Sequence, residues 1–436
     1  MKESIEYDLL VIGGGPSGMM CAGRAAERGA KVLLLEKNPV LGKKLSITGG
    51  GRCNITNWIT DTRELVSRYG KGGKALFPSF NRFGVSQAID FFHNHGLMTK
   101  VEAEGRVFPV SNDANDVVRT LGAYMQKGGV RIVLNSTVDK IVMHDNHVRV
   151  VSSSGEYRAH AIAIATGGTA YPETGSTGEG FSWLTKLGHK VIADDASLVP
   201  ITIEEKWVAN LSGLSFQNVR AGYYQNGKKI SSKIGKLLFT HFGLSGPLIL
   251  NMSKGIGDSL KRGKVTVVLD FFPEKNLMEL DKEVLAIFAT NQNKKIKNIV
   301  GRFLPDGLDK VVLTLCGIDG EKFVNSVSRD ERIKLIKFAK DMRLNVVGLL
   351  GLDKAIVSSG GVDPSEVDMR TMRSKINPMI YILGDALNFN RPSGGFSLQI
   401  CWTTGYLAGS SAELASVKFG HTRRFPARRH HDEDGE

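Results

Sequence analysis

The spacing of apolar positions changes several times along the chain, and each change predicts a different kind of element. The continuous run Leu9-Leu10-Val11-Ile12 has the length and character of a strand buried on both faces. An Ala- and Met-rich stretch (Met19, Met20, Ala22, Ala25, Ala26) then predicts a helix that stops at Gly29, and Lys31–Leu35 a second strand. Apolar residues at helical spacing recur over Val85–Gly96 and over Ala114–Lys127, where Val117, Val118, Leu121 and Met125 share one side. Strands are predicted at Val130–Leu134, Val138–Met143, Val148–Ser152 and Ala159–Ala165. Strand and helix alternating in this way describe an α/β domain.

From about Leu198 the segments become short, with turn signals between them. Asn226-Gly227 predicts a tight hairpin and Val265–Phe271 a strand, so 195–273 reads as a compact all-β insert. After Pro273 the helical period returns. Leu277, Leu280, Val284, Leu285 and Phe288 lie on one face, and Ile296, Ile299, Val300 and Phe303 repeat the pattern. Ser328-Arg329-Asp330-Glu331 is a capping box before a helix carrying Ile333, Ile336 and Ala339. Residues 274–341 are therefore expected to form a small helical insert. The end of the chain regains α/β character, with a buried strand at Met379–Leu383 and a helix opening at Gly394-Gly395 and running through Ala408. The predicted architecture is a discontinuous Rossmann-like domain (1–194 and 360–415) interrupted by two inserts, with a charged tail at 416–436.

The first strand runs into Gly13-Gly14-Gly15-Pro16-Ser17-Gly18, a G-x-G-x-x-G turn between strand and helix. Gly13 permits the turn, Gly15 keeps side chains away from a pyrophosphate, and Gly18 lets the helix pack on the strand. Pro16 suits the first helical position, and a helix start offers free N–H groups to an anion. Glu36 ends the second strand about 20 residues later, where an acid binds ribose hydroxyls. Three more glycine-bearing segments stand out at or near strand ends: Thr48-Gly49-Gly50-Gly51-Arg52-Cys53-Asn54, Thr166-Gly167-Gly168 and Gly384-Asp385. Ligands of open α/β sheets bind at the carboxyl ends of strands, so several such ends call for one long ligand threaded past several loops.

These segments resemble the FAD site of the two-dinucleotide-binding-domain flavoproteins. Further motifs narrow the resemblance: Gly105–Pro109; Tyr171-Pro172 with Gly175-Ser176-Thr177-Gly178; and Leu238–His241 with Gly243–Pro247. With these the chain resembles, from about 5 to 415, the bacterial BaiN-like NAD(P)/FAD-dependent oxidoreductases, a family that includes aminoacetone oxidase. The resemblance implies a β-barrel-like insert (195–273 and 342–359) beside the helical one. For FAD it implies Gly13, Gly15, Pro16, Ser17 and Gly18 at the pyrophosphate; Glu36, with Lys37 nearby, at the ribose; and Lys44, Leu45, Thr48, Gly49, Gly51, Arg52, Cys53 and Asn54 as further cofactor-binding residues, the glycines against the flat ring, Asn54 at the flavin edge and Arg52 balancing a phosphate or a substrate carboxylate. It adds Val138 at the adenine edge, Thr166, Gly167 and Gly168, and Gly384 with Asp385 at a ribityl hydroxyl. Gly395, Phe396, Ser397 and Gln399 would start a helix aimed at the pyrimidine ring, where a helix N-terminus stabilises the reduced, anionic form. His241 and Tyr171 are the acid/base candidates. The implied activity is hydride transfer between flavin N5 and a small substrate, such as the amine aminoacetone, with oxygen or NAD(P)H completing the cycle. No second G-x-G-x-x-G appears, so NAD(P)H is expected as a transient donor without its own domain.

Composition limits the alternatives. Four scattered cysteines (Cys21, Cys53, Cys316, Cys401), none in a C-x-x-C pair, argue against a metal site and a redox dithiol, and fit a reducing cytoplasm. Cys53 lacks a partner cysteine and is given no catalytic part. No apolar stretch reaches membrane-spanning length, and Met1–Glu6 is polar, without the character of a signal peptide. The net charge of +13 allows nucleic acid or an anionic membrane as partner. Poor aromatic interleaving favours a solvated basic surface. An FAD-dependent tRNA-modifying enzyme and a flavin-bound sensor or scaffold are therefore the alternative readings. The sequence leaves the oligomeric state open.

Overall fold

Strand β1 (Tyr7–Ile12) is the centre from which the first domain is built; in this computed structural model the chain is described over residues 6–197, 199–350 and 357–414. A tight turn leads to α1 (Pro16–Glu27), then β2 (Val32–Leu35), α2 (Ala114–Lys127), β3 (Arg131–Val133) and β4 (Gly155–Ile164). β1 lies between β2 and β4, parallel to both, with Leu9 opposite Val32 and Ala161. Burial on both faces is why Leu9, Leu10 and Val11 are fully enclosed and why the strand has no polar alternation. A hairpin, Val138–Met143 with Val148–Ser152, joins β4 antiparallel.

The β-rich insert is a closed six-stranded barrel. Its strands are β5 (Ile201–Ile203), β6 (Ser215–Gln225), β7 (Lys228–Thr240), β8 (Gly243–Ser245), β9 (Val265–Asp270) and β10 (Met342–Leu349). β10 returns from beyond the helical insert to close the barrel on β5, with Ile201 opposite Leu349. Asn226 and Gly227, both at positive φ, turn the β6–β7 hairpin as expected. The all-β expectation fails at a short 3₁₀ helix, Lys206–Leu211, and more fully at a longer helix. Pro247–Leu260 is a 14-residue helix, α3, whose Leu248, Ile249, Met252 and Ile256 enter the barrel's core. Its unbroken Leu248-Ile249-Leu250 start shows no period. Its glycines look like turn signals but serve close packing, since a Cβ on Gly255 would lie 2.4 Å from the Tyr223 hydroxyl.

The helical insert has its own core, built by α4 (Leu277–Ala289), α5 (Asp309–Cys316) and α6 (Arg329–Lys340). The expected capping box starts α6: Ser328 Oγ accepts from Glu331 N–H, and Glu331 accepts from Ser328 N–H at 2.7 Å. Ile296–Phe303 is not the helix its spacing predicts. It forms two three-residue 3₁₀ turns, although all four apolar side chains are buried. The stretch between Lys295 and Pro305 contains Gly301 and is too short to nucleate a stable helix.

Val191–Ser197 and Val357–Val362 pair antiparallel where the chain leaves and re-enters the first domain. β11 (Ile380–Ile382) then adds to β4 in parallel, giving the order β3-β2-β1-β4-β11. The final helix α7 (Phe396–Ser411) lies against α1. The approach is so close that Cβ atoms on Gly405 and Gly409 would fall 2.4 and 2.5 Å from the Ser17 and Cys21 carbonyl oxygens. Both ends of the chain thus form one sheet-and-helix unit. No helix among the described residues is long and apolar enough to cross a membrane. The charged tail expected at 416–436 lies outside the described residues.

Candidate functional site

A cleft of about 520 Å³ opens at the carboxyl ends of β1, β2 and β4 and is walled on one side by Pro247 and Leu250 of α3. This is the size of an ordinary ligand site, and strand ends of an open α/β sheet are where ligands bind. Of the expected residues, Gly13, Gly15, Pro16, Ser17, Glu36, Lys37, Lys44, Leu45, Thr48, Gly49, Asn54, Val138, Thr166, Gly167, Tyr171, Asp385, Gly395 and Ser397 all line it.

The glycine turn divides its work among three positions. Gly13 has φ +107°, and a Cβ there would lie 2.5 Å from the Ala165 carbonyl oxygen. Gly18 lies beneath it, where a Cβ would collide with the Gly13 carbonyl. Gly15, the N-cap of α1, has nothing within 4 Å of such an atom. Two glycines are therefore needed by the fold, and the third keeps the cleft clear above the helix start. The Glu36 carboxylate accepts from Gly14 N–H at 2.6 Å and from both Asn38 nitrogens at 2.8 and 2.7 Å. It orients the turn and keeps one acceptor position on Oε2 for a hydroxyl. Lys37 reaches Thr177 and Glu179, at 3.0 and 3.1 Å.

At the other end of the cleft, α7 begins. Gly395, at φ +97°, has its Cα pressed on Thr56, where a Cβ would lie 2.4 Å from the Thr56 carbonyl carbon. With its NH₂ toward the Thr56 and Val107 carbonyls, the Asn54 amide accepts from Gly395 N–H at 3.1 Å. Asn54 thus holds the helix start in place. The first intrahelical bond is Gln399 N–H to Gly395 O, leaving the N–H groups of residues 396–398 without a helical partner. Asp385 pairs with Arg391 at 2.5 Å, and the Arg391 side chain is fully buried. Lys44 donates to the Ala170 carbonyl at 2.8 Å, and burial lowers its pKa. Tyr171 sits in the left-handed region (φ 55°, ψ 61°), a conformation that costs a non-glycine residue about 1 kcal/mol. Burial raises the pKa of its phenol, so it stays a neutral O–H donor.

The structure turns other expected residues away from the cleft. Arg52 stacks on Phe108 and pairs with Glu102 at 2.5 Å. Cys53 is fully buried, and burial pushes its thiol up to about 12. Gln399 is buried and accepts from Thr56 Oγ1 at 2.6 Å. Gly18, Gly51, Gly168, Gly384 and Phe396 are not part of the cleft wall. His241 lies in a separate hollow with Ile203, Glu205, Lys206 and Val208 on the barrel, whereas the other acid/base candidate, Tyr171, lines the cleft. Conversely, Trp183, Pro247, Leu250, Ser393 and Leu398 line the cleft without having been singled out. The loop motif around Gly243–Pro247 and the helix start at Gly395–Gln399 pointed toward Pro247 and Leu398 alone.

An FAD suits this arrangement. Thr166 Oγ1 and Ser397 Oγ are buried polar atoms without hydrogen-bond partners, both belonging to residues of the cleft wall. The open space at Gly15 beside a helix start suits a pyrophosphate, and the unbonded N–H groups of α7 suit a second polar edge at the far end.

Comparisons with known proteins agree with this geometry. The family model described as "HI0933-like protein Rossmann domain" matches residues 7–411. The 3-dehydro-bile acid delta(4,6)-reductase of Clostridium scindens is 28% identical over 409 residues, covering 92% of this chain and 98% of that protein. The ribosomal RNA dihydrouridine synthase of Escherichia coli is 27% identical over 403 residues, covering 92% and 96%. Among solved structures, the 3-ketosteroid-delta4-(5alpha)-dehydrogenase of Rhodococcus jostii RHA1 shares the fold with a TM-score of 0.53 at 15% identity, covering 94% of this chain and 98% of that one.

Proposed function

The chain belongs to the HI0933-like family of Rossmann-fold flavoproteins and is an FAD-dependent oxidoreductase; on that premise we propose that it saturates a carbon–carbon double bond conjugated to a carbonyl group. The observation that carries this reading is the match, over nearly their whole length, to two relatives of different substrates. One name gives the reduction of delta(4,6) bonds in a 3-dehydro-bile acid and the other the making of dihydrouridine, and each of these changes adds two hydrogens across a carbon–carbon double bond conjugated to a carbonyl. When bound, FAD supplies a two-electron relay from NAD(P)H to the substrate. In the overall reaction a hydride reaches the carbon β to the carbonyl, a proton reaches the α carbon, and NAD(P)H is oxidised.

The residues of the cleft divide this task. The turn at Gly13–Gly18 and Glu36 hold the nucleotide half of the cofactor. Asn54 fixes the start of α7, whose N-terminal partial positive charge favours an anionic ring edge. Asp385, held by Arg391, offers its second oxygen to a hydroxyl. Tyr171 is the proton donor, a neutral phenol held in one backbone conformation on the cleft wall. Pro247 and Leu250 of the barrel enclose the mouth and exclude water from the reacting atoms.

The test is a pair of anaerobic half-reactions on flavin-loaded protein. NADH or NADPH is expected to bleach the flavin, and a small conjugated enone or uridine to restore its colour with formation of the saturated product. Bleaching by aminoacetone, with no recovery on any double bond, would replace this reading with amine oxidation.

A further inference from the structure

The +13 charge is concentrated on one part of the surface. Residues 217–264 hold nine Lys and Arg against one Asp, a net +8. The helical insert at 274–341 is nearly balanced, with thirteen basic and eleven acidic residues, and pairs many of them. There Lys295 and Lys297 share Glu321, Lys322 meets Glu331, and Arg332 meets Asp281. Within 217–264, among the described residues, only Arg220 and Lys261 have carboxylate partners, Asp270 at 3.6 Å and Asp258 at 3.9 Å. Lys228, Lys229, Lys233, Lys254, Arg262 and Lys264 are exposed and have no carboxylate partner.

Four of these cations, Lys228, Lys233, Lys254 and Arg262, follow the seam between β7 and α3, and the seam starts at the cleft. Lys233 Nζ donates to the Asn251 carbonyl of α3 at 3.3 Å, and Asn251 Oδ1 accepts from the N–H of the cleft residue Ser393 at 2.9 Å. Lys254 lies one helical turn further along. At the far end, Lys228 pairs across the hairpin with Gln225, whose side chain donates to Ser259 O at 2.8 Å in the last turn of α3, just before Arg262. α3 is about 20 Å long, so the cations form a track of that length from the cleft mouth outward. Ile230 and Ile234 stand exposed on the same hairpin.

We propose that the β7–α3 seam docks the phosphodiester backbone of an RNA strand and delivers one of its bases to the cleft. The choice of base rests on the reductase reading above, because uracil carries a carbon–carbon double bond conjugated to a carbonyl. A small neutral enone needs no such track. A polyanion gains from a line of unneutralised cations through counterion release. A base must leave its stack to reach a cleft walled by Pro247 and Leu250.

The experiment measures binding of a fluorescent, uridine-containing single-stranded RNA to full-length, flavin-loaded protein by anisotropy, from 50 to 300 mM NaCl. Four seam contacts contribute about −2.8 to the slope of log K against log salt, at about −0.7 per phosphate. The variant Lys228→Gln/Lys233→Gln/Lys254→Gln/Arg262→Gln is expected to lose most of that slope and at least about tenfold in affinity at 100 mM salt. Its flavin spectrum and thermal midpoint should be retained. The variant Lys282→Gln/Lys310→Gln/Lys334→Gln/Lys337→Gln in the helical insert removes equal charge and is expected to bind as the wild type does. Should the fourfold seam variant not fold, Lys228→Gln/Lys233→Gln is expected to remove half the slope. Equal losses in seam and insert variants overturn the proposal, as does binding to phosphatidylserine vesicles without binding to RNA. Reoxidation of the reduced flavin by a small enone without RNA binding also overturns it and leaves the reductase reading intact. RNA binding on the seam with no double bond reoxidising the flavin supports the docking surface and removes the reductase reading.

Discussion

Replacing Gly15 with alanine adds one methyl group at the N-cap of α1, where a Cβ meets no atom within 4 Å. The backbone there is extended, at φ −81° and ψ −175°, which any residue adopts. The protein without cofactor should therefore lose less than about 1 kcal/mol, the scale of an N-cap change. That corresponds to about 2 °C or less in thermal midpoint for a chain of this size. The cofactor meets a different situation, since the methyl group occupies the space above the helix start that suits a pyrophosphate. One charge-assisted N–H to phosphate bond is worth about 1.5 to 3 kcal/mol, so losing it weakens FAD binding about 10- to 100-fold. The assay titrates cofactor-stripped protein with FAD, following quenching of flavin fluorescence, beside a melting curve of the stripped protein. Gly13→Ala is the comparator. Its Cβ would lie 2.5 Å from a carbonyl oxygen at φ +107°, so the stripped protein itself should unfold early. Unchanged FAD affinity in Gly15→Ala would refute the placement of the pyrophosphate. A collapse of its melting point would refute the claim that Gly15 serves the ligand and not the fold.

Tyr171→Phe should lower turnover about 100-fold or more while leaving flavin content and the rate of flavin bleaching by NAD(P)H unchanged, the scale of a lost proton donor; a change confined to KM would point to substrate contact alone. Asp385→Ala leaves the buried Arg391 guanidinium without its carboxylate and should cost about 3 to 5 kcal/mol in denaturant unfolding; a shift below about 1 kcal/mol would show that other contacts satisfy the arginine. Cys53 should resist iodoacetamide at pH 8.5 in the folded protein, because its thiol ionises only near pH 12, while the partly exposed Cys316 labels first. Peptide mass spectrometry reads the order, and early labelling of Cys53 would contradict its burial.

The first domain was readable because its signals are local. Leu9–Ile12, the glycine turn and Glu36 lie within thirty residues, and Ala114–Lys127 has the boundaries its periodicity predicts. What the sequence concealed depends on contacts between distant segments. Helix α3 was hidden because Gly255 and Gly257 answer to the barrel wall and not to helix propensity. Ile296, Ile299, Val300 and Phe303 showed which residues are buried but not the backbone that buries them. Asn54 looked like a flavin contact, yet its amide also bonds to Val107 and Gly395, far away in sequence. His241 sits in a motif with catalytic character, and only the barrel's geometry shows it facing another hollow. Arg391 gave no signal at all, since its pairing with Asp385 becomes evident only when the loop after β11 closes. The concentration of charge in 217–264 was present in the sequence, but its position beside the cleft was not.

One claim underlies all of these: both ends of the chain, the Gly13–Gly18 turn and the start of α7, build a single cleft that holds FAD. Its most direct test is the flavin released by denaturing purified or reconstituted protein, identified chromatographically and counted against protein. One FAD per chain is expected in the wild type. Gly15→Ala should fall well below that at low micromolar FAD, with an unchanged fold. Protein that is colourless and takes up no FAD on reconstitution, or that holds FAD equally well with Gly15→Ala, would contradict it.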